Sequence, residues 1–93
     1  MPRITLKGHI VVPDHDLQAV MAQLPTHITL TRQEEGCLLF EVRQDASTPK
    51  VFWVHEEFTD RAAFDAHQQR IQSSDWGRVA SSAERHYEIT EAD

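Results

Sequence analysis

Cysteine is almost absent: Cys37 is the only one among 93 residues. It can form no internal disulfide and belongs to no Cys-x-x-Cys metal knot, which excludes a disulfide scaffold and a zinc ribbon. Long apolar runs are also missing; the longest, such as Cys37-Leu38-Leu39-Phe40 and Val51-Phe52-Trp53-Val54, are only four residues, so no membrane span is expected. The opening Met1-Pro2-Arg3-Ile4-Thr5 lacks an apolar stretch of signal-peptide length, and a cytoplasmic location is the default expectation. Cations are scarce: nine Lys and Arg face fifteen Asp and Glu, a net charge of −6. The seven arginines are scattered from Arg3 to Arg85, which argues against nucleic acid as a partner, because phosphate binding needs clustered positive charge. The chain contains no G-x-G-x-x-G, no G-x-x-x-x-G-K-[ST], no G-x-S-x-G and no H-E-x-x-H; His55-Glu56-Glu57-Phe58-Thr59 lacks the second histidine. None of the six histidines pair at i, i+3 or i, i+4, so nothing points to two metal ligands on one helix.

What remains is an ordinary globular composition, 40% hydrophobic and 26% charged, enough to build a core. The length fits one domain over residues 1–93. Residues 4–12 alternate with Ile4, Leu6, Ile10 and Val12 on one face, which reads as a strand. Pro13-Asp14 ends it, and Asp14 or Asp16 is placed to cap a helix. Leu17, Val20, Met21 and Leu24 then follow helical spacing. Pro25 should kink that helix, but Ile28 and Thr31 continue its spacing, and Glu34-Glu35-Gly36 resembles a glycine-capped end. One helix running through Pro25 is expected.

Residues 37–45 and 51–58 read as strands of an antiparallel hairpin around Ala46-Ser47-Thr48-Pro49. Thr59-Asp60 caps a second helix whose apolar face carries Ala63, Phe64, His67 and Ile71. Ser73-Ser74-Asp75 interrupts it. Trp76, Val79, Ala80 and Ala83 give a short third helix, and residues 86–90 give a last strand, with Glu91-Ala92-Asp93 expected to fray. The order β-α-β-β-α-(α)-β fits an α+β, ferredoxin-like fold: a four-stranded antiparallel sheet with helices on one face. Phe52 and Val54 alternate with Val51 and Trp53, so both faces of the sheet are expected to be covered, the second by another copy of the chain. A homodimer packed sheet against sheet follows.

The runs Glu34-Glu35-Gly36-Cys37-Leu38-Leu39-Phe40-Glu41-Val42, Val54-His55-Glu56-Glu57-Phe58 and Asp60-Arg61-Ala62-Ala63-Phe64-Asp65-Ala66-His67 together resemble the antibiotic biosynthesis monooxygenase family, small proteins with a dimeric α+β barrel. The resemblance covers nearly the whole chain. It implies the barrel fold and leaves the chemistry open, because the family spans cofactor-independent oxygenases of quinols and polyketides, haem-degrading enzymes and an autoinducer-processing enzyme. The haem-degrading branch carries a Trp and a downstream His on helix two and an Asn on strand one. Here His67 stands in place of the Trp, Gly77 near the place of the His, and strand one has no Asn. The pattern is closer to the quinol monooxygenase branch.

On that resemblance, His67 is the candidate catalytic base. Helical spacing aims it at the apolar face, where it could take a proton from a hydroquinone or enol; the resulting anion could reduce molecular oxygen with no cofactor. The competing reading is a core histidine bonded to backbone. Trp53, His55 and Glu57 share one strand face; they either line the substrate cavity or sit in the dimer interface, and Glu57 either orients a histidine or is a solvated acid. Phe64 and Trp76 could stack on a flat substrate or simply be core, and Tyr87 could donate a hydrogen bond from the last strand. His9 faces the other subunit or the cavity, and Cys37 reads as a small buried apolar residue.

Three functions stay open. The first is a cofactor-independent monooxygenase of a small aromatic, quinol-like or polyketide-like substrate. The second is an isomerase or hydratase of a small keto/enol metabolite, and the third a non-enzymatic dimeric ligand-binding or stress-response module.

Overall fold

The computed structural model describes residues 2–92. Strands β1 (Arg3–Val11), β2 (Cys37–Gln44), β3 (Val51–Phe58) and β4 (Glu84–Ala92) form one antiparallel sheet in the order β2-β3-β1-β4. Helices α1 (Leu17–Arg32), α2 (Arg61–Gln72) and α3 (Asp75–Val79) complete the βαββαβ pattern. This is the ferredoxin-like arrangement expected from the order of elements.

Period-two alternation decides what each strand buries. In β1, Ile4, Leu6 and Ile10 are buried, and Val12 just beyond it; in β3, Phe52, Val54, Glu56 and Phe58 are. The core has two parts. One gathers Ile10, Val12, Val20, Phe52, Trp76 and Ala80; the other gathers Ile4, Leu6, Val54, Phe58 and Phe64.

Helix α1 runs through Pro25, as expected, and buries Val20, His27 and Thr31. Gly36 then turns the chain into β2 at φ +88°, where a Cβ would lie 2.5 Å from the Ala63 Cβ; only glycine fits this turn. The hairpin turn is tied by the Asp45 carboxylate, which accepts from the Ser47 and Thr48 N–H groups at 3.0 and 2.9 Å. Asp60 caps α2 by accepting from the Ala63 N–H at 2.9 Å.

Four expectations are corrected. Asp16 precedes α1 but makes no side-chain cap; its carboxylate accepts from Ser82 instead. Helix α3 stops at Val79, and the chain turns through residues 80–82. Glu91 and Ala92 do not fray, because they pair with Ile4 and Arg3; Asp93 lies outside the described residues. Finally, the sheet face away from the helices is not apolar. Its residues include Arg3, Lys7, His9, Arg43, Trp53, His55, Glu57 and Glu88, since alternation turns outward the odd-numbered residues of β1, β2 and β3 and the even-numbered residues of β4, most of them polar or charged.

Candidate functional site

His67 is the centre of a buried polar cluster between α2, the end of α1 and β3. Its residue exposure is 1%. Nδ1 lies 2.9 and 2.8 Å from the two carboxylate oxygens of Glu34. Arg70, one helical turn beyond His67, donates from Nε to the same carboxylate at 2.7 Å and from Nη2 to the Thr31 hydroxyl at 2.9 Å. The Glu34 carboxylate thus accepts from two donors and fixes the Nδ1–H tautomer of His67. The opposite nitrogen, Nε2, faces Oε1 of Glu56 at 3.7 Å. That separation is too long for a hydrogen bond, and neither atom has a hydrogen-bond partner among the described residues.

Electrostatics assign the protons. Burial holds His67 below its ordinary value; Glu34 pulls it back and Arg70 pushes it further down. It is neutral at pH 7, with a free lone pair on Nε2. Burial, reinforced by the charge on Glu34, raises Glu56 to about 8, so it carries a proton at neutral pH. A neutral acid therefore faces a neutral imidazole, which avoids the cost of an unpaired buried charge.

Glu56 also lines a cavity of about 70 Å³ between the sheet and the helices. Its walls include Phe40 and Val42 of β2, His27 of α1, Trp76 of α3, and Arg85 and Tyr87 of β4. His27 lies flat against Trp76, with ring centroids 4.5 Å apart and planes 2° from parallel. Burial and the neighbouring His67 and Arg70 lower His27 to about 3, so it is a neutral aromatic wall. Tyr87 is pushed up to about 12 by burial around its hydroxyl and by Glu56, against the opposing pull of Arg85, and remains a hydrogen-bond donor. The enclosed volume is below the roughly 300 Å³ at which ligand pockets usually begin. Its β4 wall is the side left exposed, since no helix covers that strand.

The residues singled out in the sequence separate into three places. Trp76 and Tyr87 line the cavity. His67 lies behind Glu56, not on the wall. Phe64 packs edge-on against Phe58 in the second part of the core and does not reach the cavity. Trp53, His55 and Glu57 point to the opposite face of the sheet, so β3 itself separates them from His67; the cavity reading of this stripe does not hold. There Trp53 donates to Asp45 at 2.9 Å, His55 lies 3.3 Å from Glu57, and Glu57 pairs with Arg3 at 3.1 Å. His9 joins that face, stacked on His86 at 4.7 Å. Cys37 is half-buried, and burial with Glu34 and Glu56 raises its thiol, which makes it a poor nucleophile.

Glu34, Glu56, His27 and Arg85 were not anticipated. Glu56 had a partial signal: it falls in register with Phe52, Val54 and Phe58, an acid on an apolar strand face, although the opposite face also sets an acid, Glu57, beside an aromatic residue, Trp53. Glu34 had no such signal, because its partner is 33 residues away. No group of three His, Cys, Asp or Glu side chains among the described residues is arranged to hold a metal ion. No helix among them is long and apolar enough to cross a membrane.

The fold and cluster define a ferredoxin-like α+β protein with a shielded acid–base group beside a small, aromatic-walled cavity. Residues 4–78 match the sequence profile of the antibiotic biosynthesis monooxygenase family, and the chain belongs to that family. Among curated proteins none matches it. Solved structures share the fold over nearly the whole chain. A protein from Shewanella oneidensis superposes with a TM-score of 0.72 at 25% identity, covering 97% of this chain and 90% of that one. A Nitrosomonas europaea protein placed among the antibiotic biosynthesis monooxygenases gives 0.75 at 16% identity, covering 98% and 96%. A Bacteroides thetaiotaomicron protein described as a possible oxidoreductase gives 0.75 at 18%, covering 97% of each chain. At Gly77 a Cβ would lie 2.0 Å from the Ile71 carbonyl oxygen, so the backbone leaves no room for a histidine there.

Proposed function

We propose that this protein is a cofactor-independent monooxygenase acting on a small, flat phenolic, quinol-like or polyketide-like ring held in the cavity between sheet and helices. The observation that carries this reading is the buried Glu34–His67–Glu56 cluster, in which His67 is hydrogen-bonded to Glu34 and its other nitrogen lies 3.7 Å from Glu56, an acid that lines an aromatic-walled cavity. Loss of a proton from a ring hydroxyl gives an electron-rich anion that can transfer an electron to dioxygen. For a hydroquinone the balance is one quinol plus O₂ giving one hydroxyquinone plus water. One oxygen atom enters the ring, the other leaves as water, and the substrate supplies all four electrons. The protein's part is to hold the ring, move the proton and keep water out.

The proposal includes a second copy of the chain over the open sheet face. Support comes from Trp53, 46% exposed at its centre, and from the mixture there of Arg3, Lys7 and Arg43 with Glu41, Glu57 and Glu88. A surface carrying both signs can be complementary to itself about a two-fold axis.

An oxygen electrode tests the reaction. Purified, metal-free protein should consume one O₂ per hydroquinone oxidised, well above the buffer rate. No uptake across a panel of quinols and phenols overturns the reading. Turnover of an enol substrate without oxygen would instead favour an isomerase, which the same acid–base cluster could serve.

A further inference from the structure

The acid–base cluster has two candidate ends, and only one of them reaches the cavity. His67 is enclosed by Phe40, Phe58 and α2, with ring centroids 5.7 and 4.9 Å from those phenylalanines. It has no face on the cavity wall. Glu56 has one, and turns its other side to His67 Nε2. Arg85 lines the same cavity. Its guanidinium donates only to the carbonyls of Ala83 and Ala80, at 3.1 and 3.2 Å, and makes no ion pair among the described residues. A neutral proton carrier and an unneutralised cation therefore line one small cavity.

We propose that Glu56, not His67, is the catalytic residue that exchanges a proton with the substrate, and that Arg85 holds the oxygen which becomes anionic. This rests on the reading of the cavity as the substrate site and narrows the ligand to a compact, weakly acidic phenol or enol. His67 is then a positioning residue: its lone pair receives the Glu56 proton when Glu56 must act as a base, and Glu34 stabilises the imidazolium that forms. The ligand oxygen binds as an anion between Arg85 and the protonated Glu56 carboxyl. The charged and titratable groups around Glu56 are His67 and Arg70 of α2, Glu34 after α1, His27 of α1, Cys37 of β2, and Tyr87 and Arg85 of β4. Of these, His67 and His27 are lowered and Cys37 and Tyr87 raised, which leaves Glu56 as the group that changes charge near pH 8.

The test uses 4-nitrophenol, whose absorbance reports its own ionisation, titrated into the full chain at a series of pH values. Wild-type protein should bind the phenolate most tightly below about pH 8 and lose about tenfold in affinity per pH unit above it, as an ionised Glu56 repels the anion. Glu56→Gln should bind with no break at that pH, and Arg85→Met should bind about tenfold or more weakly at every pH. A break that persists in Glu56→Gln, or its absence in wild type, overturns the assignment. Infrared spectroscopy of the unmodified protein gives an answer that needs no substitution. The carbonyl band of a buried protonated carboxyl should disappear through about pH 8 and shift when 4-nitrophenol binds; a band indifferent to the ligand overturns the assignment. These readouts need no turnover. A protein that binds the phenolate as described but consumes no oxygen would retain this inference and lose the proposed function.

Discussion

His27 lies face to face with Trp76, their ring centroids 4.5 Å apart and their planes 2° from parallel, an imidazole from α1 on an indole from α3. The contact closes one wall of the cavity and joins two helices 49 residues apart in their contacting positions. Truncation by Trp76→Ala should cost about 3–5 kcal/mol, read as a lowered midpoint of urea unfolding. A loss under 1 kcal/mol would show that the wall is not part of the core.

The same pair predicts an acid limb. His27 is held at about 3, below its ordinary 6.5, so the unfolded chain binds the extra proton first. The stability this contributes is complete above pH 6.5 and is lost as pH falls towards 3. His67, also lowered, acts in the same direction. Urea midpoints at pH 7 and pH 4 should differ less in His27→Phe, which keeps an aromatic ring against Trp76, than in wild type. An unchanged difference would assign the acid limb elsewhere.

Glu56 predicts the opposite slope. Its folded value, about 8, lies above the ordinary 4.5, so here the folded chain keeps the proton longer. Its contribution is fully present below pH 4.5 and is lost as pH rises through 8, at no more than about 1.4 kcal/mol per pH unit. Glu56→Gln, an uncharged isostere, should flatten this decline between pH 5 and 8. Parallel curves for variant and wild type would contradict it.

Glu34 holds His67 and Arg70 together. Replacement by Gln leaves shape and removes charge, and should cost about 1.5–3 kcal/mol, the range for hydrogen bonds to a charged partner. Turnover should fall by about 10²-fold, because the imidazolium loses its counter-ion. Retention of full activity with reduced stability would make the carboxylate a structural tie only.

On the open sheet face, Trp53→Lys should convert an assembled pair to single subunits in sedimentation equilibrium, without loss of helical signal in circular dichroism. Wild-type protein sedimenting as one 10.7 kDa chain would remove the second copy from the proposal.

Local sequence determined the elements. Alternation at Ile4, Leu6 and Ile10 wrote β1; helical spacing carried α1 across Pro25; Asp60 announced α2; and Phe64 and His67 marked the face it buries. Each of these follows from side-chain periodicity and backbone preference within a few residues. What the sequence did not determine was which strand stripe the helices would cover with polar residues attached. In β3 both stripes hold an acid beside aromatic residues, and only the packing of α2 put Glu56 inside and Glu57 out. The pairing of Glu34 with His67 likewise exists only after the β2–β3 hairpin has folded back under two helices. Proton sharing depends on distances of a few ångströms and on exclusion of water, and both are properties of the packed whole rather than of any segment.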